Sequence, residues 1–477
     1  MVVELAGSRL VAPYFGTSLF AWSSLIGVIL GALSLGYYLG GMLADRDPRM
    51  ETLAAIILAS GVLVAATPII EPFAAAIGMA LGLKYGVLLM ATALFALPAV
   101  LLGMVSPYAV KIGADSLGMV GSTTGRLYAV STLGSIVGTL AAGFILIPSF
   151  GIRAILFGTS AVLVALSLPF IARRAFAGLI CVLLLAFLSS VIWAPGPEIA
   201  YEGDSEYYHI RIVDDAATAS RVMVLDAQLS GGVRLDSTGY LFGYYETSSL
   251  SYLLVPSPGA VLFMGAGPCA EPIAMRRHLP STAMDIVEID PKVVELAQSY
   301  FGLQLDGRTH AYVADGRTFL ASGEGSAQKY GIIFMDVYKS ESAVPYHLAT
   351  LEAVRLEKAR LAPGGVVVVN VLSAPEGRRS PMFRSVYKTY LQAFGTLYVF
   401  PVEPENPLQR QNIIIIATDS PRLSKQEFIA LAEHSGDTGL VARAEAYWEN
   451  EIPLDDVPVL TDDYAPVESL NAAVLDD

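Results

Sequence analysis

The residues best suited to chemistry lie in the second half of the chain, each at the end of a short apolar run. The run "AVLFM" leads into "GAGPC" at 265–269. Glycines at 265 and 267 permit close backbone approach there, and free amides can meet a polar ligand. About twenty residues further on, "MDIVEID" ends in Glu288 and Asp290. An acid at that distance from a glycine loop can accept both hydrogen bonds of a ribose diol, because two carboxylate oxygens face two hydroxyls. Glu288 is the candidate for that contact, and Asp290 for a structural role. Asp315 and Gly316 follow in "VADGR", where a carboxylate can accept a proton from an adenine amine and the base can lie against the glycine backbone. The alternative for Asp315 is to cap the next helix. Asp336, in "FMDVYKSES", ends a further apolar run. A carboxylate there can orient or deprotonate an acceptor that comes within about 3 Å.

These positions need a parallel sheet to bring strand ends together. The pattern predicts strands at "AVLFMG", "AMDIVEID", "HAYVAD", "YGIIFMDV" and "GGVVVVNV", with helices from about 291 and near 347–360. The last run is apolar on both faces, as a central parallel strand is. Alternating runs at 207–213 and 221–226 predict a small antiparallel sheet ahead of this core. The expected divisions are 1–197, 198–258 and 259–477.

The first division has a different solvent. Of all 477 residues, 54% are apolar and only 16% charged, and the mean hydropathy is +0.55. Charge-free runs recur at 10–44, 52–70, 85–110, 127–152, 154–172 and 175–197. Each is long enough, or nearly so, to cross about 30 Å of hydrocarbon as a helix, which predicts six spans. Glu71 falls at the end of the second run, so no span carries a charge near its middle. Gly27, Gly31, Gly36, Gly40 and Gly41 predict close helix contacts in a tightly packed bundle. Basic residues at 46, 49, 111, 126, 173 and 174 fall on one side of a six-helix count, with Lys84 and Arg153 on the other. The positive-inside rule then sends the carboxy-terminal division outside, whereas a domain that consumes an intracellular nucleoside belongs in the cytoplasm, and the cytoplasmic side is the expectation. The net charge of −14 argues against nucleic acid, whose binding needs a basic footprint. The two cysteines, Cys181 and Cys269, predict neither a disulfide framework nor a cysteine metal site.

The segments "EGDSEYYHIRIV", "MVLDAQ", "GYYE", "VEIDPKVVELAQSYFG", "YVADGRTFL" and "PVLTDDYAPVE" together resemble the spermidine synthase family, especially its membrane-fused members with a transporter-like helical region. The resemblance implies an α-helical membrane bundle followed by an α/β Rossmann-like, S-adenosyl-dependent transferase domain with a small amino-terminal antiparallel sheet. It implies decarboxylated S-adenosylmethionine as donor and no metal, with Glu288 on the ribose, Asp315 on the adenine and Asp336 as base toward the acceptor amine. Tyr207, His209, Asp226, Gln228, Tyr245 and Glu246 match the segments that line the donor and acceptor cleft. Of these, Gln228 is taken as a donor contact and Tyr245 as a catalytic residue. The family pattern also implies a further helix before "ELAGSRLVAPYFG", and a homodimer.

Two departures from that pattern bear on the substrate. Pro268 stands where the family's glycine loop carries an acid, and Lys339 stands where a second acid follows the first by three residues. A lysine repels a cationic diamine and attracts phosphate or carboxylate. The expected acceptor is therefore not plain putrescine but an amine such as a lipid headgroup, reached from the plasma membrane. The rivals are a methyltransferase using S-adenosylmethionine and a transporter or sensor with an inactive cofactor-binding domain.

Overall fold

A computed structural model describes all residues except 17–18, 114–119, 194–195, 237–238, 266, 323–327, 339–343 and 476–477. The chain divides into two compact units, Met1–Ile210 with Leu225–Ala227, and Arg211–Val224 with Gln228–Asp477. The first unit thus runs past the boundary expected at 197.

Its helices are α1 (Val2–Phe15), α2 (Leu19–Arg46), α3 (Met50–Ala80), α4 (Gly82–Ala91), α5 (Leu97–Gly113), α6 (Val120–Ala141), α7 (Ile147–Ser149) and α8 (Ile152–Ile192). Among the described residues, five stretches are long and apolar enough to cross a membrane: Leu19–Arg46, Met50–Ala80, Tyr85–Gly113, Gly121–Leu146 and Ile152–Ile192. The five stretches account for all six charge-free runs, because the last two share α8. An unbroken helix would hold Arg153 and Trp193 about 60 Å apart at 1.5 Å per residue. Instead, the Arg153 guanidinium lies 3.9 Å from the Trp193 ring centroid. The backbone leaves helical geometry at Ile171 (φ −139°, ψ 49°), two residues after Pro169. Proline removes an amide donor and crowds the preceding turn, so the helix is weakest there. Both arms pack on α3, Phe157 and Val164 from one and Leu179 and Val182 from the other, around Leu58, Val62 and Ala65.

Two expectations about the bundle need correction. α3 continues to Ala80, so Glu71 lies inside the helix at 3% exposure, with the Tyr14 hydroxyl 3.4 Å from its carboxylate. Of the five glycines in α2, only two meet a neighbouring helix among the described residues. A Cβ on Gly36 would lie 2.2 Å from the Val100 carbonyl oxygen, and one on Gly40 would lie 2.6 Å from Met104 Cα, whereas Gly27, Gly31 and Gly41 face open space.

Four strands follow, β1 (Ile199–Asp204), β2 (His209–Asp215), β3 (Ser220–Leu225) and β4 (Gln228–Arg234), in the order β1-β2-β3-β4. Consecutive neighbours joined by such short links must run antiparallel. Short helices α9 (Gly243–Ser248) and α10 (Ser251–Leu254) lead into the main sheet.

That sheet contains β5 (Ala260–Met264), β6 (Ala283–Glu288), β7 (Thr309–Val313), β8 (Tyr330–Met335), β9 (Leu361–Ser373), β10 (Thr396–Pro401) and β11 (Gln411–Thr418). Their order is β10-β11-β9-β8-β5-β6-β7, with β5 to β9 parallel and β11 antiparallel to both its neighbours. Intervening helices include α11 (Ala270–His278), α12 (Pro291–Leu296), α13 (Gly316–Ala321), α14 (Leu351–Arg360) and α15 (Pro381–Leu391). Every residue of β5 and β8 is buried, because helices cover both faces. Phe263 and Phe334 stack across the two strands with centroids 4.8 Å apart. A fully buried ring of this kind contributes roughly 1.5–3 kcal/mol. This is a Rossmann-like sheet, with β10 and β11 added to the strands that periodicity predicted, as β1 and β4 are added to the small sheet.

Candidate active site

The chain leaves β5 toward β6 and β7 on one side, then returns to β8 and β9 on the other. Loops after β5 and β8 therefore diverge and open a crevice at the carboxyl ends of the strands, where ligands bind in open α/β sheets. Gly265 (φ +67°) is forced by this geometry, since a Cβ would lie 2.8 Å from the Asp336 carbonyl oxygen. The Asp336 amide in turn donates to the Met264 carbonyl at 3.1 Å. Gly267 (φ +46°) lies against β4, where a Cβ would come within 2.4 Å of Ser230 Oγ. Half-buried Gln228 opens that same strand.

Asp336 follows β8 and is half-buried. Asn370 Nδ2 donates to its Oδ1 at 2.8 Å, and Asn412 Nδ2 donates to Asn370 Oδ1 at 3.0 Å. Burial pushes the Asp336 carboxyl up to about 6, and the Asn370 bond works against that rise. A carboxyl titrating near there is a base at neutral pH yet still holds a proton well enough to receive one. The two asparagines were missed by reading periodicity alone. Each is a polar residue set into an apolar run, "VVVVNV" and "QNIIII", and that interruption was the available signal.

Glu288 ends β6 at 8% exposure, and its Oε1 accepts from the Asp290 amide at 3.1 Å. Asp290 caps α12 through the Lys292 amide at 2.8 Å. Asp315 caps α13: its Oδ1 accepts from the Thr318 amide at 2.9 Å, while His347 Nε2 lies 3.1 Å from Oδ2. Burial opposes its charge, yet the Thr318 and His347 hydrogen bonds hold the carboxyl below the usual range. A Cβ on Gly316 would strike Met264 Cε at 2.7 Å, so that glycine lets α13 begin against the β5 strand end.

Beside Asp336 stands an aromatic cluster. The rings of Tyr244 and Tyr245 have centroids 4.1 Å apart, and Tyr240 and Phe242 each lie 6.1 Å from Tyr245. Burial, then the charge of Asp336, raises the Tyr245 hydroxyl above its ordinary value, so it stays protonated. A second acid, Glu271, lies in the first turn of α11 at 5% exposure. Burial raises its carboxyl well above the ordinary value, and the neighbouring Asp336 charge adds to that rise against a hydrogen bond from Ser248. Its sequence signal was a lone acid at the head of the helix, in "CAEPIAM".

The remaining predicted residues have other partners. His209 sits between Asp204, 2.8 Å from Nδ1, and Glu202, 3.2 Å from Nε2. Burial opposes its charge, but these two acids hold the imidazole up at about 9. Asp226 accepts from the His209 amide at 2.9 Å, and burial raises its carboxyl to about 6. Tyr207 is half-exposed, and its carbonyl accepts from the Arg9 guanidinium. Glu246 is paired with Arg443 at 2.9 Å. Lys339 lies outside the described residues.

No family model matches the chain. It is 28% identical over 236 residues to a polyamine aminopropyltransferase of Vibrio vulnificus, covering 48% of this chain and 75% of that one. It is 25% identical over 292 residues to a probable polyamine aminopropyl transferase of Bifidobacterium longum, covering 58% of this chain and 63% of that one. Against the human eEF1A lysine and N-terminal methyltransferase it is 31% identical over 161 residues, 32% of this chain and 22% of that one. All three are transferases by name, two of one kind and one of another. Over about half its length, this chain is similar to the polyamine aminopropyltransferases.

Proposed function

We propose that the chain is a membrane-integrated transferase that moves an aminopropyl group from decarboxylated S-adenosylmethionine to an amine acceptor other than plain putrescine. The observation that carries the reading is Asp336 at the β5/β8 divergence, oriented by Asn370 and titrating near 6. In the reaction the acceptor nitrogen attacks the aminopropyl carbon bonded to the sulfonium. That carbon–sulfur bond breaks, its electron pair neutralises the sulfur to a thioether, and the proton lost by the nitrogen passes to Asp336. Glu288, at the β6 end, takes the ribose diol, and Gly265 and Gly267 give the donor access to backbone amides. Asp315 serves the adenine edge with the oxygen that faces His347.

The acceptor reading rests on Lys339, three residues beyond Asp336 in the sequence, where a cation disfavours a dication. A lipid headgroup amine suits that charge through its phosphate, and the apolar helices suit a substrate that arrives from the bilayer. Lys339→Asp is expected to gain use of a diamine; an unchanged acceptor preference would remove the argument.

Methyl transfer from S-adenosylmethionine is the second reading, favoured by the likeness to the eEF1A methyltransferase. Purified protein in detergent, given each donor separately with native lipids and a diamine panel, distinguishes them by the nucleoside released. Methylthioadenosine formed only with acceptor present supports aminopropyl transfer. S-adenosylhomocysteine assigns methyl transfer, and neither product despite measured binding points to sensing or transport.

A further inference from the structure

Glu271 has no part in the reading above. It lies in the first turn of α11, directly after the 265–269 loop, and is 5% exposed. Its Oε1 has no hydrogen-bond partner among the described residues. The Asp336 charge disfavours that of Glu271, and the phenols of Tyr240, Tyr244, Tyr245 and Tyr252 all feel the Glu271 carboxylate. Two recessed carboxyls within a wall of tyrosines are costly unless a cation joins them, because each unpaired charge or acceptor forfeits its hydration. An alkylammonium suits the setting: its three N–H donors can reach both acids, and aromatic faces attract its charge.

The geometry points to Glu271 as the residue that selects a decarboxylated donor: its buried carboxyl receives the ammonium of the aminopropyl chain and repels a donor that carries a carboxylate at the same place. The assignment rests on the proposed aminopropyl chemistry. Its placement follows from the sheet. The ribose acid Glu288 ends β6 and the base Asp336 follows β8, while β5, between those two strands, leads through the glycine loop into the head of α11. A donor whose ribose meets Glu288 and whose sulfonium faces Asp336 must send its three-carbon tail past that loop. Pro268 supplies no acid there, and Glu271, three residues on, does. S-adenosylmethionine carries the same ammonium, but also a carboxylate that Glu271 and Asp336 would oppose.

The test is equilibrium binding of three nucleosides to the full-length protein in detergent: decarboxylated S-adenosylmethionine, S-adenosylmethionine, and methylthioadenosine, which lacks the amine. The wild type is expected to prefer the decarboxylated donor over S-adenosylmethionine. Glu271→Gln should weaken that donor by about tenfold to a hundredfold, the usual worth of a charge-assisted hydrogen bond. Methylthioadenosine affinity should not change, and the preference between the two donors should collapse; Glu271→Asp should fall between. Unchanged preference in Glu271→Gln, with the decarboxylated donor still turned over by the wild type, overturns the role of Glu271 alone. Loss of methylthioadenosine binding in both variants assigns Glu271 to supporting the loop, which also overturns it. A wild type that binds and demethylates S-adenosylmethionine in preference fails the underlying reading instead.

Discussion

Asp336 is held by a relay of amides, so its chemistry depends on residues that never touch substrate. Asn370 donates to its Oδ1 and Asn412 fixes the Asn370 carbonyl, leaving Oδ2 for the acceptor. Asp336→Asn should cut transfer by about a hundredfold to ten-thousandfold, the usual worth of a general base, while methylthioadenosine still binds. The base must be ionised, so kcat/KM is expected to rise with pH through about 6 and level off above it. In Asn370→Ala the hydrogen bond that favours the carboxylate is gone, and the inflection of that profile should move upward. A rate loss without such a shift would mean that Asn370 only packs. Asp336 was legible in the sequence because it ends an apolar strand. Its pairing with Asn370 was not, since two residues 34 positions apart meet only through strand pairing of β8 with β9.

At the scale of elements, small residues matter only where a second helix arrives. Gly36 and Gly40 let the α2 backbone approach α5, and a side chain at either would collide with backbone atoms. Gly36→Leu and Gly40→Leu are each expected to destabilise the bundle by about 1–3 kcal/mol or more, as overpacking does. Gly27→Leu, which points into open space among the described residues, should leave the detergent melting temperature unchanged. Comparable losses at all three positions would refute this packing. The α8 hairpin follows the same logic. Two charge-free runs and Pro169 are plain in the sequence, yet the reversal that lays both arms on α3 is settled by contacts such as Trp193 Nε1 to the Pro68 carbonyl, 3.0 Å away.

For the whole molecule, buried acids set how stability responds to pH. Glu357 is fully buried, accepts from the Tyr390 hydroxyl at 2.6 Å, and is raised by burial to about 8. Asp336 and Asp226 are each raised to about 6. Between the ordinary carboxylate range and these values, the folded chain holds protons that the unfolded chain has released, so stability falls as pH rises. His209, held at about 9, acts in the same sense: its contribution is full below the ordinary histidine value and lost as pH rises through 9. The full chain should therefore melt higher at pH 5 than at pH 8, by about 2–4 °C for each kcal/mol. Glu357→Gln, which can keep the Tyr390 bond, should flatten much of that difference; an equal slope in the variant would exclude Glu357 as its source. By itself, the sequence determined the two solvents the chain meets and the strand ends that carry acids, because hydropathy and period are local properties of a chain. It also determined that the core is parallel α/β, since apolar runs and helices alternate in a set rhythm. Only the tertiary structure decided that Glu71 is interior, that Asp315 is a helix cap, and that Glu271 is buried at the head of α11. Those outcomes depend on burial and on which distant backbone comes near, and no local pattern encodes either.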